Sequence, residues 1–277
     1  MRKILVTGAA GFVPSSLVDK LILDKNTFVI GLDSMLTGRR ENLPSVDNFR
    51  FVKCDVNDWD DLSSVMLSTN FDYVFHYAAV VGVKRTLDNP LMVLDDIKGI
   101  ENILKLAKNT GVKRVFFSSS SEVYGEPVEF PQNEFTTPLN SKLPYAIVKN
   151  IGEAYLKSYF REHELNYTIF RFFNTYGPKQ STDFVLSKFI NAALKNQDIT
   201  IYGDGSQTRT FCYIDDNIDA TLKCLNDDYY VNDVVNIGSH LETSILELAT
   251  IVKRATNSQS QIVHLPALKE GDMTRRQ

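Results

Sequence analysis

Three cysteines in 277 residues, Cys54, Cys212 and Cys224, are too few and too scattered for a disulfide framework. Odd in number and without CxxC spacing, they read as reduced thiols packed inside a cytoplasmic protein. His76, His163, His240 and His264 show no ligand spacing, so no metal site is expected. Basic residues are not in excess: 30 Lys and Arg stand against 34 Asp and Glu, a net charge of -4. Without a basic stripe, nucleic acid is not an expected partner. No apolar run is long enough to span a membrane, so no membrane partner is expected. Repeats, low-complexity tracts and long linkers are missing too. A strand and turn already occupy Met1 to Gly8, which leaves no room for a signal peptide.

What is present is a chain with 43% hydrophobic residues, enough for a large core in one or two domains. Strands are predicted at 3–7, 28–32, 49–53, 72–76, 113–118 and 167–172, with helical stretches between them. Leu17, Val18, Leu21 and Ile22 share one face of the first helix. Leu94, Ile97, Ile100, Leu104 and Ala107 recur at three-to-four spacing over 90–109, between Pro90 at the start and Gly111 past the end. Short apolar strands alternating with helices imply an α/β fold: a doubly wound parallel sheet covered on both faces. After Gly177-Pro178 the pattern loosens, with a strand at 199–202, a turn at Gly203-Asp204-Gly205, a strand at 234–237 and a helix near 244–255. We expect residues 1–176 to form a cofactor-binding domain and 177–277 mainly a smaller, substrate-binding lobe over the sheet's carboxyl edge. Segments near 210–240 are expected to return to the first domain.

Thr7-Gly8-Ala9-Ala10-Gly11 follows the first strand and precedes a helix, where backbone can approach a pyrophosphate at a helix N-terminus. Gly8, Ala10, Gly11, Phe12 and Val13 are therefore candidate dinucleotide contacts. Pro14 stands near where a third glycine is usual; in the first helical turn its missing N–H has no intrahelical partner anyway. Asp33 ends the second strand, where a carboxylate accepts ribose hydroxyls and repels a 2′-phosphate, favouring NAD over NADP. Arg39 and Arg40 would favour the opposite, but lie well past the strand end, in what reads as a solvated turn. Asp55 and Val56 suit a cap over the adenine, though turn chemistry explains them equally well. Ala78 and Ala79, after the fourth strand, leave room for a dinucleotide to cross the sheet.

Tyr145 and Lys149, four residues apart, can share a helical face and approach within roughly 6 Å. At an effective dielectric near 20 that proximity is worth about 3 kcal/mol, or about 2 pKa units, taking the phenol from about 10 toward about 8. A phenolate base near neutral pH is the expected outcome, with the Ser120 hydroxyl sharing the substrate proton. A dinucleotide turn, a strand-end serine cluster (Ser118 to Ser121) and a Tyr/Lys pair, in that order, point to hydride transfer.

These stretches resemble the extended short-chain dehydrogenase/reductase family, in its nucleotide-sugar epimerase, dehydratase and decarboxylase branch. The match runs through Thr7–Gly11, Asp33, Ser118–Gly125, Tyr145–Lys149, Asn174–Pro178 and Gly203–Arg209. The resemblance implies a Rossmann fold, bound NAD and a nucleotide-sugar substrate, commonly a UDP-sugar. It implies Ser120 as the catalytic hydroxyl, Tyr145 as the base and Lys149 on the nicotinamide ribose. Asn174 and Arg209 would hold the substrate's pyrophosphate, and a guanidinium suits that task on its own chemistry. Members commonly form homodimers through the helices near 90–109 and 145–162, and normally run on past the equivalent of Gln277.

Two reactions remain open. Dehydratases of the branch place an Asp-Glu pair after the catalytic hydroxyl, and here Ser121-Glu122 stands instead. Ser-Glu resembles the UDP-glucuronate decarboxylases, in which Glu122 would act near the sugar carboxylate and Arg276 would pair with it. Val80 to Thr86 resembles the 4-epimerase loop. A 4-epimerase is the first expectation and a decarboxylase the alternative; Glu122 also suits a plain loop charge. A protein that binds NAD without turning over is a third class, disfavoured because Ser120, Tyr145 and Lys149 are all present.

Overall fold

The computed structural model describes residues 1–126, 128–266 and 275–276, with backbone alone for Val83, Lys84, Leu87, Arg275 and Arg276. Seven strands form one sheet: β1 (Arg2–Thr7), β2 (Thr27–Asp33), β3 (Phe49–Lys53), β4 (Tyr73–His76), β5 (Arg114–Ser120), β6 (Asn166–Phe172) and, after the second lobe's first elements, β11 (Asp233–Ile237). Their order is β11-β6-β5-β4-β1-β2-β3, with every pair parallel. The order reverses between β1 and β4, the switch point at which such sheets open a crevice at their carboxyl ends.

Alternation along the strands feeds two cores. Leu5, Leu32, Val74, Val115, Phe117 and Ile169 pack toward α2 (Trp59–Ser68), α4 (Pro90–Thr110) and α5 (Pro144–His163). Ile4, Val6, Val29, Phe75, Phe116 and Phe170 pack toward α1 (Phe12–Leu21) and α7 (Ile214–Asn226). On that second face Phe75, Phe116 and Phe170 stack in a row, with centroids 4.4 and 5.9 Å apart. α3 (Val83–Asp88) links β4 to α4.

β7 (Thr175–Tyr176), α6 (Val185–Leu194), β8 (Ile199–Tyr202), β9 (Thr208–Thr210) and β10 (Cys212–Tyr213) precede α7. β12 (Glu242–Ser244), α8 (Ile245–Ala255), β13 (Ile262–Leu265) and β14 (Arg275–Arg276) follow β11. Phe189, Ile199, Ile201, Leu248 and Val252 pack into a core separate from the two on the sheet. On α4, Ile100, Leu104 and Ala107 of the expected stripe are buried, with Val93 and Ile103 beside them, and Ile97 packs on the same core; Leu94 alone of the stripe is exposed, at 38%. Among the described residues no helix is long and apolar enough to cross a membrane.

Candidate active site

A cavity of about 610 Å³ opens where β1, β4 and β5 end. Its cofactor side begins with the β1–α1 turn. Gly8 has φ +71°, and a Cβ there would lie 3.0 Å from the Ala78 nitrogen and 3.1 Å from its Cα, so the two segments meet backbone to backbone. Gly11 closes the turn, donating its N–H to Gly8 O at 2.8 Å, and caps α1. Pro14 lies inside the first turn of α1, where the first repeating bond is Ser15 N–H to Gly11 O. Gly8, Gly11, Phe12, Val13, Asp33, Asp55, Val56, Ala78 and Ala79 all line the cavity. Ala10 does not; fully buried, it donates its N–H to Asp33 Oδ2 at 3.0 Å. Met35 N–H reaches Oδ1 of the same carboxylate at 2.7 Å. A carboxylate offers about four lone-pair sites, so two remain for a ligand's hydroxyls. Arg39 and Arg40 are exposed, away from this wall.

Beneath the turn, Thr7 Oγ1 accepts the N–H groups of Tyr77 and Ala78, both at 3.0 Å, and lies 3.0 Å from His76 Nδ1. With both lone pairs used, the hydroxyl proton goes to Nδ1, so the imidazole is neutral with its proton on Nε2. Burial, reinforced by the charge on Lys149, drops His76 to about 3.

Pro144 occupies the first turn of α5 after the extended Leu143, which places Tyr145 at the cavity wall. Lys149 Nζ stands 5.6 Å from the Tyr145 ring centroid, 4.9 Å from that of Phe117, and donates to Ser118 Oγ at 3.4 Å. Burial lowers the Lys149 ammonium to about 8, with Asp96 opposing it. Asp96 lines the cavity as well and accepts Val80 N–H at 2.7 Å; burial raises its carboxyl against that bond. Ser120 Oγ accepts Glu122 N–H at 3.2 Å, capping the short turn Ser121–Tyr124, so its own proton is available for a substrate oxygen. Ser120, Ser121, Glu122, Tyr145, Lys149 and Asn174 line the same cavity.

Arg209 lies off that wall. It is 9% exposed in β9 and donates from Nη1 to Thr208 O at 2.8 Å. Asn174 approaches the same strand, donating from Nδ2 to Thr210 O at 2.9 Å. The backbone of Arg276 pairs with Arg209 in a parallel bridge; the side chain of Arg276 lies outside the described residues.

The model of the NAD-dependent epimerase/dehydratase family matches residues 4–238. The chain belongs to that family. Within it, the chain is 38% identical over 278 residues to a protein described as a putative UDP-glucose 4-epimerase from Methanocaldococcus jannaschii, covering 98% of this chain and 88% of that one. It is 34% identical over 274 residues to a UDP-N-acetyl-alpha-D-glucosaminuronate decarboxylase from Bacillus cytotoxicus, covering 96% and 84%. A crystal structure of UDP-glucose 4-epimerase with UDP-glucose from Thermotoga maritima superposes with a TM-score of 0.93 at 33% identity, covering 99% of this chain and 88% of that one.

The family's cofactor is NAD, and the walls fit it. The turn lines the cavity with Gly8 packed backbone to backbone on Ala78, and Asp33 lines the wall with lone pairs to spare. Sequence reading passed over Thr7, His76 and Asp96. For Asp96 a signal existed: it stands four and seven residues before Ile100 and Ile103, on the buried face of α4. For Thr7 and His76 there was none, because their pairing joins strands 69 residues apart.

Proposed function

We propose that this protein is a UDP-hexose 4-epimerase that oxidises C4 transiently and returns hydride to the opposite face. Bound NAD supplies a reversible hydride acceptor. Tyr145 takes the proton of the C4 hydroxyl as general base and gives it back when the ring returns to alcohol. Lys149 holds positive charge below pH of about 8, beside the Tyr145 ring, where it favours the phenolate. Ser120 donates to the substrate oxygen, Asn174 and Arg209 bind the nucleotide diphosphate, and Glu122 and Ser121 lie along the sugar. Residues 1–176 carry the cofactor and 177–277 mainly the substrate. The free, buried Cys54, Cys212 and Cys224 are compatible with a reducing cytoplasm. A homodimer would pair α4 and α5, which leave Leu91, Leu94, Ile147 and Phe160 exposed.

The observation that carries this reading is the convergence of Ser120, Tyr145 and Lys149 on one cavity with the Gly8 turn and Asp33. Of the wall residues proposed to lie along the sugar, Glu122 is the acidic one, and a neutral hexose meets it without the like-charge repulsion that a uronate carboxylate would feel. The decarboxylase alternative draws its support from relatives such as the Bacillus protein. Mass spectrometry with chromatography decides between them. UDP-glucose should give a new peak of unchanged mass, lost in Tyr145→Phe while NAD stays bound. Faster release of carbon dioxide from UDP-glucuronate would make the protein a decarboxylase, and full turnover in Tyr145→Phe would remove the mechanism.

A further inference from the structure

Behind the catalytic wall lies a buried ion pair, which meets the cavity lining through Ser119. Glu153 and Arg171 are each 1% exposed. Arg171 grips Glu153 with one edge of its guanidinium, Nε to Oε1 at 2.9 Å and Nη2 to Oε2 at 2.7 Å. Oε1 also accepts the hydroxyl of Ser119 at 2.6 Å. Ser119 and Arg171 are register partners on β5 and β6, so two neighbouring strands converge on one helical carboxylate.

Each of these residues neighbours a proposed reacting group. Ser119 sits between Ser118, bonded to Lys149, and Ser120. Strand alternation turns Ser119 to the α5 side, with Val115 and Phe117. Glu153 follows Lys149 by four residues and Tyr145 by eight on α5, along the same face. The helix comes close enough because position 152 is glycine; a Cβ there would lie 2.4 Å from Phe117 Cζ. Arg171 extends the network from Nη1 to Tyr124 OH at 2.9 Å and Glu134 O at 3.2 Å, and Tyr124 donates to Asn236 Oδ1 at 2.7 Å. Tyr124 closes the turn that carries Ser121 and Glu122. Lys157 Nζ, 3.9 Å from Oε2, is the further cation facing the carboxylate.

We infer that Glu153, with Ser119 and Arg171, is a positioning residue of the reaction. It locks the register of α5 against the carboxyl end of β5, and so sets Tyr145 and Lys149 relative to Ser120. A buried ion pair adds little net stability over an apolar pair of the same shape, but it is directional. Direction is what a base and a hydroxyl on different elements need, since a misplacement of about 1 Å can cost about a hundredfold in rate.

The inference rests on the proposed roles of Tyr145 and Ser120, and its test separates the two. Wild type, Ser119→Ala, Glu153→Gln and the double variant are compared for kcat and KM with UDP-glucose, bound NAD, melting temperature and amide hydrogen exchange. Ser119→Ala removes the strand-to-helix bond while leaving the ion pair intact. Its kcat should fall about tenfold or more, with KM and NAD content little changed and the melting temperature lowered by a few degrees, as for one lost buried hydrogen bond, and exchange should quicken over 118–124 and 145–149. The double variant should be no slower than Glu153→Gln, because both act through one contact. Ser119→Ala within twofold of wild type, or rate losses that multiply in the double variant, would overturn the clamp. A wild type inactive on every nucleotide sugar would instead overturn the proposed reaction. Exchange alone then decides the clamp: faster in Ser119→Ala upholds it, unchanged removes it.

Discussion

His76 ends β4 buried, neutral and bonded through Nδ1 to Thr7, and its titration should be visible in the stability of the fold. The sign follows from which state holds the proton. The folded imidazole is depressed to about 3 from an ordinary 6.5, so between these values the unfolded chain binds a proton that the native one refuses. The stability that His76 contributes is therefore complete above about pH 6.5 and is lost as the pH falls toward about 3, at up to about 1.4 kcal/mol per pH unit. Denaturant melts between pH 7 and 5 should show this slope, and His76→Asn, which cannot titrate, should flatten it. An equal slope in the variant would show that other groups carry the pH dependence. Little of this could be read in advance. The chain displays a histidine without ligand spacing, and its role arises from a threonine on a neighbouring strand.

Among the elements, the β1–α1 turn was the most legible, because its requirements are local: a residue at positive φ, close backbone approach, then a helix start. Gly8→Ala is expected to cost about 1–2 kcal/mol for left-handed backbone alone. Its Cβ would also press on the Ala78 backbone at about 3 Å, where the dinucleotide must pass. Retained NAD should fall about tenfold or more, equivalent to about 1.4 kcal/mol, in a protein that still folds by circular dichroism. Unchanged NAD content would mean that this turn is not the cofactor's cradle. β5 was the least well bounded element. Its expected range, 113–118, falls two residues short of its end at Ser120. Ser119 stays in the strand because Glu153 meets its hydroxyl, and Ser120 because it caps the next turn. On α4, Leu94 shares the apolar spacing of Ile100 and Leu104 yet is exposed, because spacing alone does not say where along the helix the core ends.

For the whole molecule, Leu91 and Leu94 of α4 and Ile147 of the adjoining α5 are exposed, and the proposed homodimer would cover them. Light scattering should find a two-chain particle in solution, and Leu94→Glu with Ile147→Glu should leave single chains of unchanged circular dichroism. A wild type that is monomeric at micromolar concentration would remove the proposed dimer. Across the fold, Lys179 of the segment after β7 bonds Asp19 of α1. That contact ties the segment bearing Gln180 and Phe184, both on the cavity wall, to the helix behind the cofactor turn.

By itself the sequence determined the alternating elements, the dinucleotide turn, Asp33 at a strand end, and the Tyr145 and Lys149 pair on one helical face. All of these are short-range patterns, governed by backbone geometry within a few residues. Only the tertiary structure decided that Lys149 meets Ser118, that Thr7 fixes the proton of His76, and that Ser119, Glu153 and Arg171 meet behind the site. The physical reason is that a buried polar group must find a partner, and its identity depends on which distant strands and helices packing brings within about 3 Å. No period or spacing along the chain encodes that distance.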